Sequence, residues 1–118
     1  MGGVASDWGV SIVVDRSGNI YTTGIFAGTG DFDPGPGSNN LASAGNMDIF
    51  ISKLDASGNF IWAKGVGGTS IENSFSIAID YQGNVYTTGF FEGTVDFDPG
   101  IGTNLLASAG LIDIFVLK

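Results

Sequence analysis

Short runs of apolar residues alternating with polar ones fill the chain, and clusters of Gly, Asn, Asp and Ser separate them. Alternation with a period of two is typical of β-strands. No window combines a helical period with helix start and stop signals. The pattern predicts four strands in the first half of the chain, at 10–15, 19–26, 48–54 and 59–66, and three in the second half, at 75–80, 84–91 and 113–118.

Three turns share the sequence Asp-x-x-Gly-Asn, at 15–19, 55–59 and 80–84. Glycine adopts positive φ readily, and Asp and Asn side chains bond to their own backbone, so these segments are expected to be hairpin turns and not metal sites. The other connections, from 27 to 47 and from 92 to 112, are expected to be Gly-rich loops of about twenty residues, which is long for a compact domain.

The chain repeats itself. Tyr-Thr-Thr-Gly, Asp-Phe-Asp-Pro-Gly and Leu-Ala-Ser-Ala-Gly each occur twice, 65 residues apart, and about 30 of 52 positions are identical when residues 2–53 are laid on 67–118. We therefore divide the chain into repeat 1 (1–66) and repeat 2 (67–118), which lacks a counterpart of the fourth strand. Two antiparallel hairpins per unit predict an all-β fold of four-stranded β-propeller blades, with about 65 residues per repeat.

Three linked motifs carry a family resemblance: Gly-Asn-(Ile/Val)-Tyr-Thr-Thr-Gly, Phe-x-Gly-Thr-x-Asp-Phe-Asp-Pro-Gly, and Gly-x-x-Asp-Ile-Phe-(Ile/Val)-x-Lys. Together with Leu54–Lys64 they resemble the bacterial SBBP-type β-propeller repeat over essentially the whole chain. The resemblance implies blades of a secreted or cell-surface bacterial protein. It implies no particular activity, because propellers host many unrelated functions.

Composition and charge exclude several classes of function. Histidine and cysteine are absent, which removes the commonest general base, the thiolate nucleophile and the usual zinc ligands. The net charge of −8 disfavours nucleic acid, and no apolar run is long enough to insert into a membrane. Acids that recur at the same register in both repeats indicate architecture more than a glycosidase pair. We predict that the chain is not an enzyme and needs no cofactor.

The Asp-Phe-Asp-Pro-Gly loops hold the candidate metal ligands, which are Asp31, Asp33, Asp96 and Asp98. Two carboxylates at i and i+2 on a Gly-rich loop suit Ca²⁺, although the EF-hand pattern is absent. The favoured alternative is a structural turn, with Asp, Pro and Gly in turn positions and the Phe ring buried beneath it.

Other candidates also have structural explanations. Asp48 and Asp113 open the third strands and are expected to accept backbone N–H groups. Trp62 is expected to pack within a blade. Trp8 differs from its repeat counterpart Asn73, and it either fills space between blades or stacks on a sugar ring. Four further positions also break the repeat, namely Arg16/Tyr81, Ala27/Glu92, Asn46/Leu111 and Ser52/Leu117.

The blade count predicts assembly. A propeller closes with about four to eight blades, and the chain supplies fewer than two. Its third strand at 113–118 has an unpaired edge, which favours a homo-oligomeric ring of three or four chains. No signal peptide is visible, and Met1 falls within the repeat, so a fragment or an engineered piece is expected. The predicted function is a non-catalytic scaffold or interaction module that self-assembles. The alternative is a calcium-dependent adhesion module that binds carbohydrate or protein.

Overall fold

A computed structural model describes residues 1–118 as strands, turns and loops. The twelve strands are β1 (Gly2–Gly3), β2 (Asp7–Val14), β3 (Ile20–Phe26), β4 (Thr29–Asp31), β5 (Asn40–Ala42), β6 (Asp48–Leu54), β7 (Phe60–Gly68), β8 (Glu72–Ile79), β9 (Val85–Phe91), β10 (Thr94–Asp96), β11 (Leu105–Ala107) and β12 (Asp113–Leu117). No helix has the length and apolarity needed to cross a bilayer.

Two antiparallel meanders form the body of the molecule. Strands β2, β3, β6 and β7 pair in that order and are called the first sheet, and β8, β9 and β12 pair in the same way and are called the second sheet. The predicted all-β fold of antiparallel blade-like sheets is confirmed. The seven predicted strands are present, although β2 and β8 each begin three residues earlier than predicted.

The prediction of strand-free loops at 27–47 and 92–112 is wrong. Each segment contains a hairpin of two three-residue strands, β4 with β5 and β10 with β11. A Gly-Gly segment lies beside each hairpin, since β1 pairs with β4 and the end of β7 pairs with β10. Strand β7 thus begins in the first sheet and ends beside the hairpin of repeat 2. The proposed boundary between residues 66 and 67 falls inside this strand.

The three Asp-x-x-Gly-Asn segments form the predicted hairpin turns. Asp15 Oδ1 accepts the N–H groups of Ser17 and Asn19 at 2.8 and 2.9 Å, and its Oδ2 accepts Asn19 Nδ2 at 2.7 Å. The same bonds recur in the other two turns. Gly18 has φ 84°, a conformation that side chains with a Cβ rarely adopt, so the position requires glycine.

The larger core lies between the repeats. Strand β8 packs against β2, β3 and β6, so that the second sheet covers one face of the first. The buried residues are Tyr21, Ile49, Ile51 and Val66 from repeat 1 and Ile77, Phe91, Val95, Phe97 and Phe115 from repeat 2. A smaller cluster lies within repeat 1 and contains Phe26, Phe32, Phe50 and Ala63. The larger cluster therefore joins side chains of both repeats in one core.

Candidate functional site

The Asp-Phe-Asp-Pro-Gly loops use their acids to hold the backbone. Asp31 Oδ1 accepts the N–H groups of Asp33 and Asn39 at 3.0 and 2.8 Å, and Asp33 Oδ1 accepts that of Gly35 at 2.7 Å. Asp96 and Asp98 make the same bonds in repeat 2, to the N–H groups of Asp98, Asn104 and Gly100. Each loop is therefore built as a structural turn, with one oxygen of each acid engaged.

The Phe between the two acids holds each loop against its own sheet. The Phe32 ring is buried and lies 5.3 Å from Phe26 and 4.9 Å from Phe50, centroid to centroid. Phe97 repeats this arrangement with Phe91 and Phe115, both at 5.1 Å. The expectation that Phe32 and Phe97 bury their rings under the loops is confirmed.

Backbone N–H groups also favour the ionised form of the first acid in each loop. The N–H of Asn39 is the main cause that lowers the pKa of Asp31, and the N–H of Asn104 does the same for Asp96. No three His, Cys, Asp or Glu side chains come together in a way that could hold a metal ion. Calcium binding by Asp31, Asp33, Asp96 and Asp98 stays a prediction.

The hairpin-turn acids are stabilised in the same manner. The Asn19 amide is the main cause that lowers the pKa of Asp15, and the Asn59 amide does so for Asp55. For Asp80, the Asn84 amide and the Tyr86 hydroxyl contribute to lowering the pKa to about 2. These half-buried carboxylates hold the turns together, which agrees with the interpretation of the turns from sequence.

Both third-strand acids accept backbone N–H groups, as predicted. Asp48 Oδ2 accepts the N–H of Ala44 at 2.8 Å, and Asp113 Oδ2 accepts that of Ala109 at 2.7 Å. The surroundings of the two acids differ, because Asp48 is buried and Asp113 is half-buried. Burial raises the pKa of Asp48.

Glu72 is the functional candidate that sequence reasoning missed. It begins β8 and is fully buried, and its Oε2 accepts the N–H of Gly68 at 3.0 Å. Burial, with Asp48 and Glu92 nearby, raises the pKa of Glu72 to about 7. Its counterpart Asp7 accepts the N–H of Gly3 at 2.6 Å. The signal in the sequence was an acid four residues after the second glycine of each Gly-Gly pair.

Asp48 and Glu72 contact consecutive glycines at the end of β7. The Asp48 carboxyl occupies the space that a Cβ of Gly67 would fill, so only glycine fits there, and the next residue donates its N–H to Glu72. The N–H of Glu72 in turn bonds to the carbonyl of Met47 at 3.0 Å. Asp48 Oδ1 and Glu72 Oε1 are both buried without a hydrogen-bond partner. Two buried acids from different repeats thus contact neighbouring residues of β7, and Asp48 is close enough to Glu72 to disfavour its ionisation.

Two clefts also lie between the repeats. One is formed by neighbouring hairpin turns, where the Arg16 guanidinium lies 4.6 Å from the centroid of the Tyr81 ring, so two positions that break the repeat contact each other. The other is lined by Asp48 and Lys64 from repeat 1 and by Asp96 and Asp98 from repeat 2. The structure thus brings two of the four predicted metal ligands near Asp48.

The tryptophans have different surroundings. Trp62 is half-buried against the larger core, with its ring 6.2 Å from Tyr21, which confirms packing within a sheet. Trp8 is exposed, so both of its interpretations remain predictions.

Comparison with known proteins supports the fold. The model of the SBBP family, described as a beta-propeller repeat, matches residues 2–24, so the resemblance is confirmed over that segment. An uncharacterized WD repeat-containing protein of Acanthamoeba polyphaga mimivirus is 29% identical over 105 residues, which cover 77% of this chain and 8% of the relative. The chain thus spans less than a tenth of that relative's length. No solved structure matches. The all-β antiparallel sheets agree with the blades of a β-propeller, which is the repeat that the matching family model describes.

Proposed function

We propose that the chain is a non-catalytic β-propeller scaffold whose repeats stack side by side, and whose two outer faces bind further copies of the chain. The observation that carries the proposal is the contact between the first and second sheets. It shows how one repeat covers the next, and the same two surfaces recur uncovered on the outside of the molecule.

The uncovered face of the second sheet repeats the covered face of the first. Ile49 is 0% exposed and Ile51 is 7% exposed beneath the second sheet. Their counterparts on β12, Ile114 and Val116, are 85% and 76% exposed. We call the surface around Ile114 and Val116 the back face. Removing apolar surface of this kind from water lowers the free energy, so a partner that covers it is favoured.

The opposite side of the molecule offers the matching surface. Ile77 on β8 is 7% exposed against the first sheet, whereas its counterpart Ile12 on β2 is 65% exposed. We call the surface around Ile12 the front face. Repeat 2 covers repeat 1 within the chain. If a second copy covers the back face in the same way, its front face contacts that back face. Such head-to-tail contacts close into a ring when the rotation between neighbours permits, and three or four chains would then give six or eight blades.

A non-catalytic role agrees with how the acids are used. The carboxylates of the first hairpin turn and of the long loop recur in both repeats and accept backbone N–H groups, which stabilises the conformation of these segments. The bacterial and surface-exposed origin implied by the family resemblance stays a prediction.

Light scattering on the purified 118-residue chain tests the assembly. We expect a mass of three or four chains, and Ile114→Asp on the back face is expected to reduce it to about one chain, because the charge cannot be covered. Ile101→Asp is the matched control, since Ile101 is a fully exposed loop residue. A wild-type mass near 12 kDa with a cooperative melt, or equal effects of the two variants, would contradict the proposal.

The alternative is a calcium-dependent module that binds carbohydrate or protein. The observation in its favour is that backbone N–H groups lower the pKa of Asp31 and of Asp96, which lie beside Asp33 and Asp98 on Gly-rich loops. Binding of calcium to the folded state alone would raise the melting temperature. Identical melting curves with calcium and with a chelator would remove this alternative.

A further inference from the structure

The contact between the sheets contains two carboxyl groups and no neutralising partner. Glu72 is 0% and Asp48 is 4% exposed. One oxygen of each group accepts a backbone N–H, and the other, Glu72 Oε1 or Asp48 Oδ1, is buried without a partner. A buried carboxylate with an unpaired oxygen is costly, whereas a protonated carboxyl is neutral and can donate a hydrogen bond.

The charged groups around the pair do not offset its charge. Asp48 from β6 and Glu92, which follows β9, both act on Glu72 and both disfavour its ionisation. Lys64 from β7 lines the cleft beside Asp48 together with Asp96 and Asp98. The charged residues of β2 and β6 that remain are Asp7 and Lys53, and the Lys53 ammonium lies over the Tyr21 ring, 5.0 Å from its centroid.

Each outer face carries one half of the same pair. Asp113 is the counterpart of Asp48 and lies at the start of β12, next to the back face. Asp7 is the counterpart of Glu72 and lies at the start of β2, on the front side. Asp7 Oδ2 accepts the N–H of Gly3, and Asp7 Oδ1 is already buried without a partner. A copy docked on the back face as repeat 2 docks on repeat 1 would bring its Asp7 next to Asp113.

We propose that every contact between neighbouring repeats holds a proton on such a carboxyl pair, so that binding of a further copy takes up a proton and is stronger in mild acid. This inference rests on the proposed self-association for the outer faces, but the pair inside the chain tests it independently. The raised pKa values of Asp48 and Glu72 agree with proton retention.

The first test uses the inner pair and needs no self-association. A carboxyl group whose pKa is raised by folding contributes stability that is fully present below its pKa in the unfolded chain. This contribution is lost as pH rises through its pKa in the folded chain. Ile114→Asp serves as the unassembled chain. In the presence of a chelator, we expect its melting temperature to fall as the pH rises from 5 to 8. Adding Glu72→Gln or Asp48→Asn, whose amides can donate a hydrogen bond, should flatten this fall.

The second test measures association of the native chain by sedimentation between pH 5.5 and pH 8 in a chelator. Uptake of one proton per contact strengthens association by up to about tenfold per pH unit as pH falls. Asp113→Asn should associate tightly without this dependence, and Asp7→Asn is a second variant with the same expectation. Asp33→Asn changes the net charge equally on an exposed loop and should keep the dependence.

The outcomes separate the two proposals. A chain that stays monomeric at every pH contradicts the self-association, and the inner pair then decides the proton proposal alone. A flat melting profile in which Glu72→Gln changes nothing overturns the proton proposal. The proton proposal is also overturned if calcium restores the stability of Ile114→Asp at pH 8 but does not do so when Glu72→Gln is added, because Asp48 and Glu72 would then hold a cation. Equal pH dependence of association in Asp113→Asn and Asp33→Asn overturns it for the outer faces.

Discussion

Repeat 1 and repeat 2 share many residues at equivalent strand positions but place them in different environments. Ile49 lies beneath the second sheet, and Ile114, the same residue 65 positions later, is exposed to solvent. The hydrogen bonds near these residues are unchanged, since Asp48 and Asp113 accept equivalent N–H groups. Local structure therefore follows the repeated sequence, whereas burial follows the presence of a neighbouring repeat.

This comparison provides matched pairs of variants. Each pair makes the same change in both repeats, so local propensity cancels and the difference measures the contact between the repeats. The first three predictions below use such pairs, the fourth uses a single variant, and all four refer to the unassembled chain at low concentration.

The largest difference is expected for the isoleucines. Ile49→Ala removes a fully buried side chain from the core between the sheets and should lower the free energy of unfolding by about 4 kcal/mol. Ile114→Ala, at an exposed position, should change it by less than about 0.5 kcal/mol. Urea denaturation of both variants provides the measurement. Equal losses would mean that the back face is covered even in one chain.

Two glycines give the next difference. A Cβ on Gly45 would lie 2.5 Å from the carbonyl oxygen of Gly68, whereas a Cβ on Gly110 would meet nothing within 4 Å. Gly45→Ala should therefore cost about 2 kcal/mol through overpacking. Gly110→Ala should be neutral or slightly stabilising, because alanine restricts the unfolded chain. Thermal melts distinguish them, and a destabilising Gly110→Ala would contradict the open space seen there.

The threonines of the second strands should differ less. Thr23 is fully buried and its Oγ1 donates to the carbonyl of Phe50 at 3.0 Å, whereas Thr88 makes the equivalent bond to Phe115 at an exposed position. Thr23→Val should cost about 1 kcal/mol, and Thr88→Val less, because water can replace the exposed bond. Chemical denaturation checks the order, and a larger loss at Thr88 would reverse the interpretation.

The smallest effect concerns the turn acids, which are half-buried in both repeats. The pKa of Asp80 is lowered to about 2, so its contribution is present above the unfolded pKa near 4 and is lost as pH falls through the folded value. Asp80→Asn should weaken the loss of stability between pH 4 and pH 2. An acid-unfolding profile identical to that of the wild type would show that the Asn84 and Tyr86 contacts do not contribute.

Much of the fold could be predicted because its signals are local. The Asp-x-x-Gly-Asn turns are formed by bonds within five residues, and the short runs of apolar and β-branched residues in β3 and β6 are typical of strands. The strands β4 and β5 were missed because three residues are too few to show a period. They are held by pairing with each other and with Gly2–Gly3, from a distant part of the chain.

The candidate site divides in the same way. The acids of the Asp-Phe-Asp-Pro-Gly loops were found as a motif, and their bonds to nearby N–H groups follow from the loop sequence. Glu72 was missed because it appears in the sequence as an ordinary exchange for Asp7. Its raised pKa arises from burial against another repeat and from Asp48, which is 24 residues away in the sequence.

The sequence by itself determined the all-β fold, the 65-residue repeat and the turns, because these depend on interactions between residues close along the chain. Only the tertiary structure decided which of two identical isoleucines is buried, where Gly67 must lack a side chain, and which carboxyls are buried near each other. Burial and charge state depend on the surface that covers a residue. That surface comes from another repeat, which the residue's own neighbours in the sequence do not specify.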